Sequence, residues 1–382
     1  MESTYVKRRQ RGLAVLIVTL LLIIGSVVYI AIERNNMKTP ADYTTTGNGQ
    51  VELVEIKPGS SVSELGPELV ERDIVKSNGA FQKAAGANPN AAKVQPGIYR
   101  LQGEMSAESA VEALLNPANK VQTLDIPGGA TLNDVVVVGG KTRPGIFSQI
   151  SQVTCAEGAS NCLTVAALKQ AAGGVDPVEL GVPEWAVDAV RARGNDPRRI
   201  EGLIMPGEYV VNPEQNAAEV LRSLITASAE KENETNIVGR AQAVGLTPYE
   251  LLIAASLVER ESPAGDFPKV ARVILNRLQE PMRLEFDSTV NYDLPNQEVA
   301  TTDEDRARVT PWNTYAKDGL PETPIASPSL EAIEAMENPA DGDWLFFVTI
   351  DKDGTTVFNR TFDEHQRATQ ESIENGVLDS QR

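Results

Sequence analysis

The stretch L-T-P-Y-E-L-L-I-A-A-S-L-V-E-R-E-S (246–262) decides how the rest of the chain is read. Thr247 is a good N-cap, Pro248 fits the first helical position and Glu250 the third, so a helix starts here. Its body, 251–258, is almost wholly apolar, which predicts a helix buried on most sides. At its C-terminal end stand Glu259, Arg260 and Glu261. A carboxylate there is disfavoured twice, by apolar surroundings that desolvate its charge and by the negative end of the helix. Both effects raise its pKa, as a carboxylic acid requires if it is to give up a proton near neutral pH. The same pattern also fits two surface carboxylates that point into water or pair with Arg260 and Arg272, and both readings stay open at this level.

Outward from this helix, apolar segments alternate with polar turns. DFPKVARVILNRLQ (266–279) reads as a second helix burying Val270, Val273, Ile274 and Leu278, with Asn276 and Arg277 near its end. MRLEFDSTVNY (282–292) reads as a strand or loop bearing Asp287, Ser288 and Thr289. DWLFFVTIDKDGTTVFNRTFDEH (343–365) predicts a strand pair turning at Asp353-Gly354. Upstream, NAAEVLRSLITASAEKEN (216–233) has the apolar spacing of an amphipathic helix. RRIEGLIMPGEYVV (198–211) gives a strand broken at Pro206-Gly207, and 143–200 reads as short helices between Pro and Gly. Polar residues thus gather in turns on a rigid frame, the layout of a cleft.

A smaller module precedes this frame. VELVEIKPGSSVSELGPELVERDIV (51–75) reads as strand, turn and helix, with Ser61 as N-cap and Glu64 completing a capping box. A second strand at 97–101 and a helix capped by Ser106 follow. The pattern of 54–65 recurs at 124–135, L-D-I-P-G-G-A-T-L-N-D-V, which predicts strand, glycine turn, polar cap and helix at the head of two successive modules. VVVVGGKT (135–142) ends like a phosphate-binding loop, but Val135 stands where its first glycine belongs, so none is predicted.

The 382 residues carry 53 acidic and 35 basic side chains, a net charge of −18 that argues against a nucleic-acid binder. One histidine, His365, and two cysteines exclude His-rich zinc sites and four-thiolate clusters; no metal and no cofactor is expected. Residues 12–32 contain no charge and would span about 31 Å as a helix, against a bilayer core of about 30 Å. Lys7, Arg8, Arg9 and Arg11 precede them, which predicts a single-pass anchor with its N-terminus cytoplasmic and the bulk of the chain outside. In that compartment Cys155 and Cys162 are expected to pair as a local staple.

Taken in order, E-G-L-I-M-P-G-E-Y (201–209), A-S-L-V-E-R-E (255–261), V-I-L-N-R-L (273–278), M-R-L-E-F-D-S-T-V (282–290), N-T-Y (313–315), G-L-P-E-T-P-I-A-S-P (319–328) and F-N-R-T-F-D-E-H (358–365) resemble the YceG-like family of endolytic murein transglycosylases. The resemblance implies an α+β fold: a cytoplasmic tip (1–11), a transmembrane helix (12–32), a linker (33–50), a LysM-like module (51–118), a mixed α+β catalytic domain (119–370) and a tail (371–382). It implies an enzyme of the outer cell surface that cuts peptidoglycan between N-acetylmuramic acid and N-acetylglucosamine. The product would end in 1,6-anhydro-N-acetylmuramic acid, and strand elongation would stop there. Carried over, the acid is Glu259, and Glu261, Asn276, Asp287, Ser288, Thr289, Asn313 and Tyr315 shape the cleft and bind sugars. His365 is expected to be a hydrogen-bonded structural residue. Peptidoglycan synthases and penicillin-binding proteins are the implied partners. A muramidase in which Asp287 activates water, and an inactive wall-binding scaffold, are the competing expectations.

Overall fold

The structure, a computed structural model, describes residues 23–28, 40–57, 59–137, 139–155, 162–212, 215–298 and 301–377. Residues 23–28 are helical and exposed. The rest of the expected membrane helix, the tip before it, residues 33–39 and the end of the tail lie outside the described residues. Among the described residues no single helix is long and apolar enough to cross a membrane. The chain divides into two compact units, residues up to 121 and residues from 122 onward.

In the first unit, β1 (Val51–Ile56) pairs antiparallel with β2 (Gly97–Gln102) along its whole length, from Val51 opposite Gln102 to Ile56 opposite Gly97. Helices α1 (Gly66–Glu71), α2 (Asn78–Ala87) and α3 (Ala107–Leu115) enclose a core of Val54, Ile56, Leu69, Phe81, Leu101 and Leu114. Ser77 and Ser106 cap α2 and α3 by accepting from Ala80 N and Ser109 N, both at 3.2 Å. At the expected capping box, Ser61 Oγ donates to Glu64 Oε1 instead, and the chain opens with a 3-10 turn (Val62–Leu65). Residues 40–50, read as linker, are held to the unit: Ala107 N donates to Asp42 Oδ1 at 2.9 Å and Ser106 N to Thr45 O at 2.7 Å.

Strand β3 (Lys120–Ile126) begins in the first unit beside β2 and continues into the second, where it pairs antiparallel with β6 (Gly207–Val211). The helix expected after its glycine turn does not form. Leu132 N is instead claimed by a buried carboxylate, Glu201, and the chain enters a two-residue hairpin, β4 (Val135–Val136) and β5 (Thr142–Arg143). The glycine-rich segment is therefore a hairpin tip.

Helices α4 (Ile146–Thr154), α5 (Val165–Gly174) and α6 (Glu184–Ala192) follow, and Cys155 is disulfide-bonded to Cys162. Next come α7 (Ala217–Glu234) and α8 (Ile237–Ala243), then α9 (Pro248–Glu261), the decisive stretch. Thr247 and Glu250 cap α9 reciprocally, and every residue from Leu251 to Val258 is buried. Helix α10 (Phe267–Gln279) packs against it through an apolar stripe, and α13 (Leu330–Glu337) lies against both. Between α10 and α13, the stretch expected as strand or loop is a loop leading into a short helix, α11 (Asp287–Asn291); α12 (Asp303–Ala307) comes next. Strands β7 (Phe346–Thr349) and β8 (Thr356–Asn359) form the expected hairpin, backed by α14 (Phe362–Glu374).

Candidate active site

The site is built on the last turn of α9. Ser262 is extended there (φ −153°) because Pro263 follows and disfavours helix in the residue before it. Glu259 and Glu261 leave this turn in different directions, since residues two apart on a helix do not share a face. Glu259 Oε2 accepts from Ser329 N at 3.0 Å and Ser329 Oγ at 2.6 Å, at the start of α13. Its other oxygen is pressed against the β3 turn. A Cβ placed on Gly128 would come within 2.5 Å of Glu259 Oε1, and that turn is fastened by Gly129 N donating to Ser327 O at 3.0 Å. Glu259 is thus wedged between two backbone segments.

Glu261 points toward α11. Burial pushes its carboxyl from the ordinary 4.5 up to about 7; the charge of Asp287 raises it further, while Ser288 and Arg260 pull it down. The Ser288 hydroxyl lies within electrostatic reach of this carboxyl without a well-formed hydrogen bond. Asp287 is fixed by Arg306 at 3.1 and 3.2 Å, Thr301 Oγ1 at 2.7 Å and Tyr315 OH at 2.8 Å. Burial and the Asp287 charge together push the Tyr315 hydroxyl pKa upward.

The remaining expected sugar ligands hold the frame. Thr289 is fully buried; its hydroxyl donates to Phe286 O at 2.6 Å and accepts from Thr314 N at 3.1 Å. Asn313 Nδ2 donates to the carbonyls of Asp305, Arg306 and Arg308, and its Oδ1 accepts from Tyr315 N at 2.9 Å. Asn276 Nδ2 donates to the carbonyls of Gly342 and Trp344. The structure therefore groups Glu261, Asp287, Ser288 and Tyr315, with Glu259 on the far side of α9, and uses Thr289 and Asn313 to hold the loops that carry Asp287 and Tyr315. His365 stacks on the Phe346 ring at 5.1 Å. Its Nδ1 is buried with no hydrogen-bond partner among the described residues, so ring stacking holds it where a hydrogen bond was expected.

One acid escaped sequence reasoning. Glu201, inside the quoted E-G-L-I-M-P-G-E-Y run, is fully buried, and burial raises its carboxyl to about 7. Leu132 N and Tyr292 OH donate to it at 3.0 and 2.7 Å. The available signal was an acid flanked by Ile200 and a Gly-Leu-Ile run with no cation inside it. Glu201, Arg260, Ser288, Tyr292, Thr131 and Asn133 line a cavity of about 240 Å³ in the second unit. A larger one, about 490 Å³, lies between α2 and α3 in the first unit. Its charged residues are exposed, whereas the smaller one is walled by Arg260 and Ser288, the chain neighbours of Glu261 and Asp287, so we place the chemistry beside it, although neither of those two acids lines it.

A recessed acid with a pKa near neutrality, set beside a fixed carboxylate on an α+β frame, is the arrangement of an acid–base site. Residues 54–371 match the sequence profile of the YceG-like family, and the chain belongs to that family. An endolytic murein transglycosylase of Bacillus subtilis (strain 168) is 26% identical over 325 residues, 84% of this chain and 84% of its own. One from Streptococcus pneumoniae serotype 2 (strain D39) is 28% identical over 359 residues, 90% of this chain and 60% of the relative. The solved structure of a yceG-like protein from Listeria monocytogenes shares the fold, with a TM-score of 0.51 at 24% identity over 83% of this chain and 99% of that one.

Proposed function

We propose that this protein is a lytic transglycosylase that cuts peptidoglycan glycan between N-acetylmuramic acid and N-acetylglucosamine, with Glu261 as the proton donor. The observation that carries the reading is the Glu261 carboxyl set beside the fixed Asp287, where burial pushes it up to about 7 and favours its protonated form near neutral pH. The neutral acid protonates the bridging oxygen as the C1–O bond breaks. The carboxylate left behind accepts the proton of the sugar's C6 hydroxyl while O6 bonds to C1. The 1,6-anhydro ring closes, the acid is restored and no water is consumed. Asp287, held by Arg306, adds a fixed negative charge near the positive centre that develops at C1. Its oxygens already accept from three side chains, which weighs against a role as base for an attacking water.

The family resemblance assigns the acid role to Glu259. That carboxylate instead accepts two hydrogen bonds from Ser329 and fastens α9 to α13, which supports a positioning role. Two variants decide. Glu261→Gln is expected to lower glycan release at least about 100-fold, in line with the usual worth of a general acid, while Glu259→Gln keeps measurable release. The reverse order would return the acid role to Glu259. No release from the unsubstituted protein would leave a wall-binding scaffold. Mass spectrometry of the products separates anhydro ends, one water lighter, from the reducing ends a hydrolase makes.

Anchoring belongs to the same proposal. The uncharged run 12–32 behind a basic tip supports a single span with the enzyme outside the cell. Cleavage would then fall on strands near the membrane, where synthases and penicillin-binding proteins extend them, and would end their growth. A LysM-like role in glycan binding for residues 51–118 completes the proposal.

A further inference from the structure

The cavity beside α9 contains charges of two kinds. Its acids are partnered: Glu201 by Leu132 and Tyr292, Asp293 by Arg198 at 2.9 Å, and Asp134 by the Gly145 amide at 2.8 Å. Arg260 lines the same cavity, and among the described residues it makes no hydrogen bond or ion pair; Glu259 and Glu261 act on it only through space. Arg143, register partner of the wall residue Val135, has a buried Nη2 with no hydrogen-bond partner. The two arginines are near enough that Arg143, together with burial, lowers the Arg260 pKa. Asn133 Oδ1 and Ser288 Oγ, on the same walls, are also buried without partners.

An arginine on the cavity wall with no partner among the described residues, and a second beside that wall with a buried, unmet Nη2, leave donors unsatisfied unless an anion lies against them. We propose that this corner is a subsite for a carboxylate of the substrate, one borne by the peptide on the lactyl group of the muramyl sugar at the cut. The proposal rests on the transglycosylase reading and names the part of the substrate that the site selects. A planar monoanion matches the guanidinium fork. The nearby carboxylates of Glu259 and Glu261 penalise a doubly charged phosphate. Ser288 Oγ can donate to the bound carboxylate, and Asn133 Oδ1 can accept an amide N–H of the same peptide.

The test uses the full chain and two glycan fragments, one with its peptides and one stripped of them by an amidase and then amidated at the freed lactyl carboxyl, so that it carries no carboxylate. Binding is measured by calorimetry on the Glu261→Gln protein, and cleavage on the active one. Arg143→Gln is expected to weaken binding of the peptide-bearing fragment about tenfold and leave the stripped fragment unchanged. Amidation of the peptide carboxylates should reproduce that loss in the unsubstituted protein, and Arg143→Lys should lie between. Equal weakening on both fragments, or none on either, would overturn the subsite. So would competition by millimolar acetate or phosphate for the stripped fragment, which would mark a site for free anions. If the active protein cleaves neither fragment, the transglycosylase reading itself fails, a result distinct from cleavage without discrimination.

Discussion

Raising the pH from 5 to 9 perturbs Glu261 in a way that both activity and stability report. Its carboxyl stands at about 7 in the folded protein against an ordinary 4.5. The folded state therefore holds the proton more tightly than the unfolded one. The resulting stability is fully present below about pH 4.5 and is lost as pH rises through about 7, opposite to the usual salt-bridged carboxylate. The difference is worth about 3 kcal/mol at 1.36 kcal/mol per pKa unit, an upper figure because the side chain is not wholly shut off from water. Glu201 adds a second loss with the same sign and window. Melting temperature should thus fall across pH 5–8. Glu261→Gln and Glu201→Gln should each remove part of the slope, and the double variant most of it. Activity reads Glu261 alone: kcat/KM for release of anhydro ends should fall about tenfold per pH unit above 7, as the acid form disappears. A kcat/KM flat to pH 9, or one already falling above pH 5, would refute the assignment.

Three further outcomes follow from the geometry. Gly128→Ala places a methyl carbon against Glu259 Oε1; it should break the Ser329 hydrogen bonds and lower kcat about tenfold with little change in KM, and an unchanged kcat would show that Glu259 positions nothing. Asn313→Ala removes an amide shared by four backbone groups and should cost about 2–4 kcal/mol, read by urea unfolding. Leu252→Ala, at the fully buried centre of α9, should cost about 2–5 kcal/mol without altering the pH profile of kcat/KM.

Local signals were strong wherever structure is local. Thr247, Pro248 and Glu250 announced α9, and the apolar spacing of 216–233 and 266–279 announced α7 and α10, because caps and helical periodicity act within a few residues. The reading failed where distant groups compete for the backbone. The run after Pro127 has the look of the helix that follows Pro58, yet Glu201, 69 residues on from Leu132, takes the Leu132 amide. The DSTVN segment turns into a helix because Thr314 grips Phe286 N and the Thr289 hydroxyl from 25 or more residues away. Thr289 and Asn313 were expected as sugar ligands because they match motif positions of the family. Exposure is the property that separates a ligand from a loop brace, and composition does not encode it.

The same reasoning explains why the helix end was legible and the choice between its two acids was not. Two residues along an α-helix is a rotation of about 200°, so Glu259 and Glu261 must meet different surroundings. Both share the unfavourable helix terminus and the apolar helix behind it, and nothing within the stretch 246–262 separates them. The separation comes from what arrives on each side. On one flank the N-terminus of α13 brings two donors from Ser329, 70 residues away. On the other flank α11 brings the charge of Asp287 and burial against protein atoms. A carboxylate met by donors becomes a strut. One met by burial and a like charge is pushed up to about 7, which is why the proposed mechanism takes it as the acid. The proposed role of each glutamate thus follows from packing on opposite faces of one helix, and the pair of variants Glu259→Gln and Glu261→Gln reads those two faces separately.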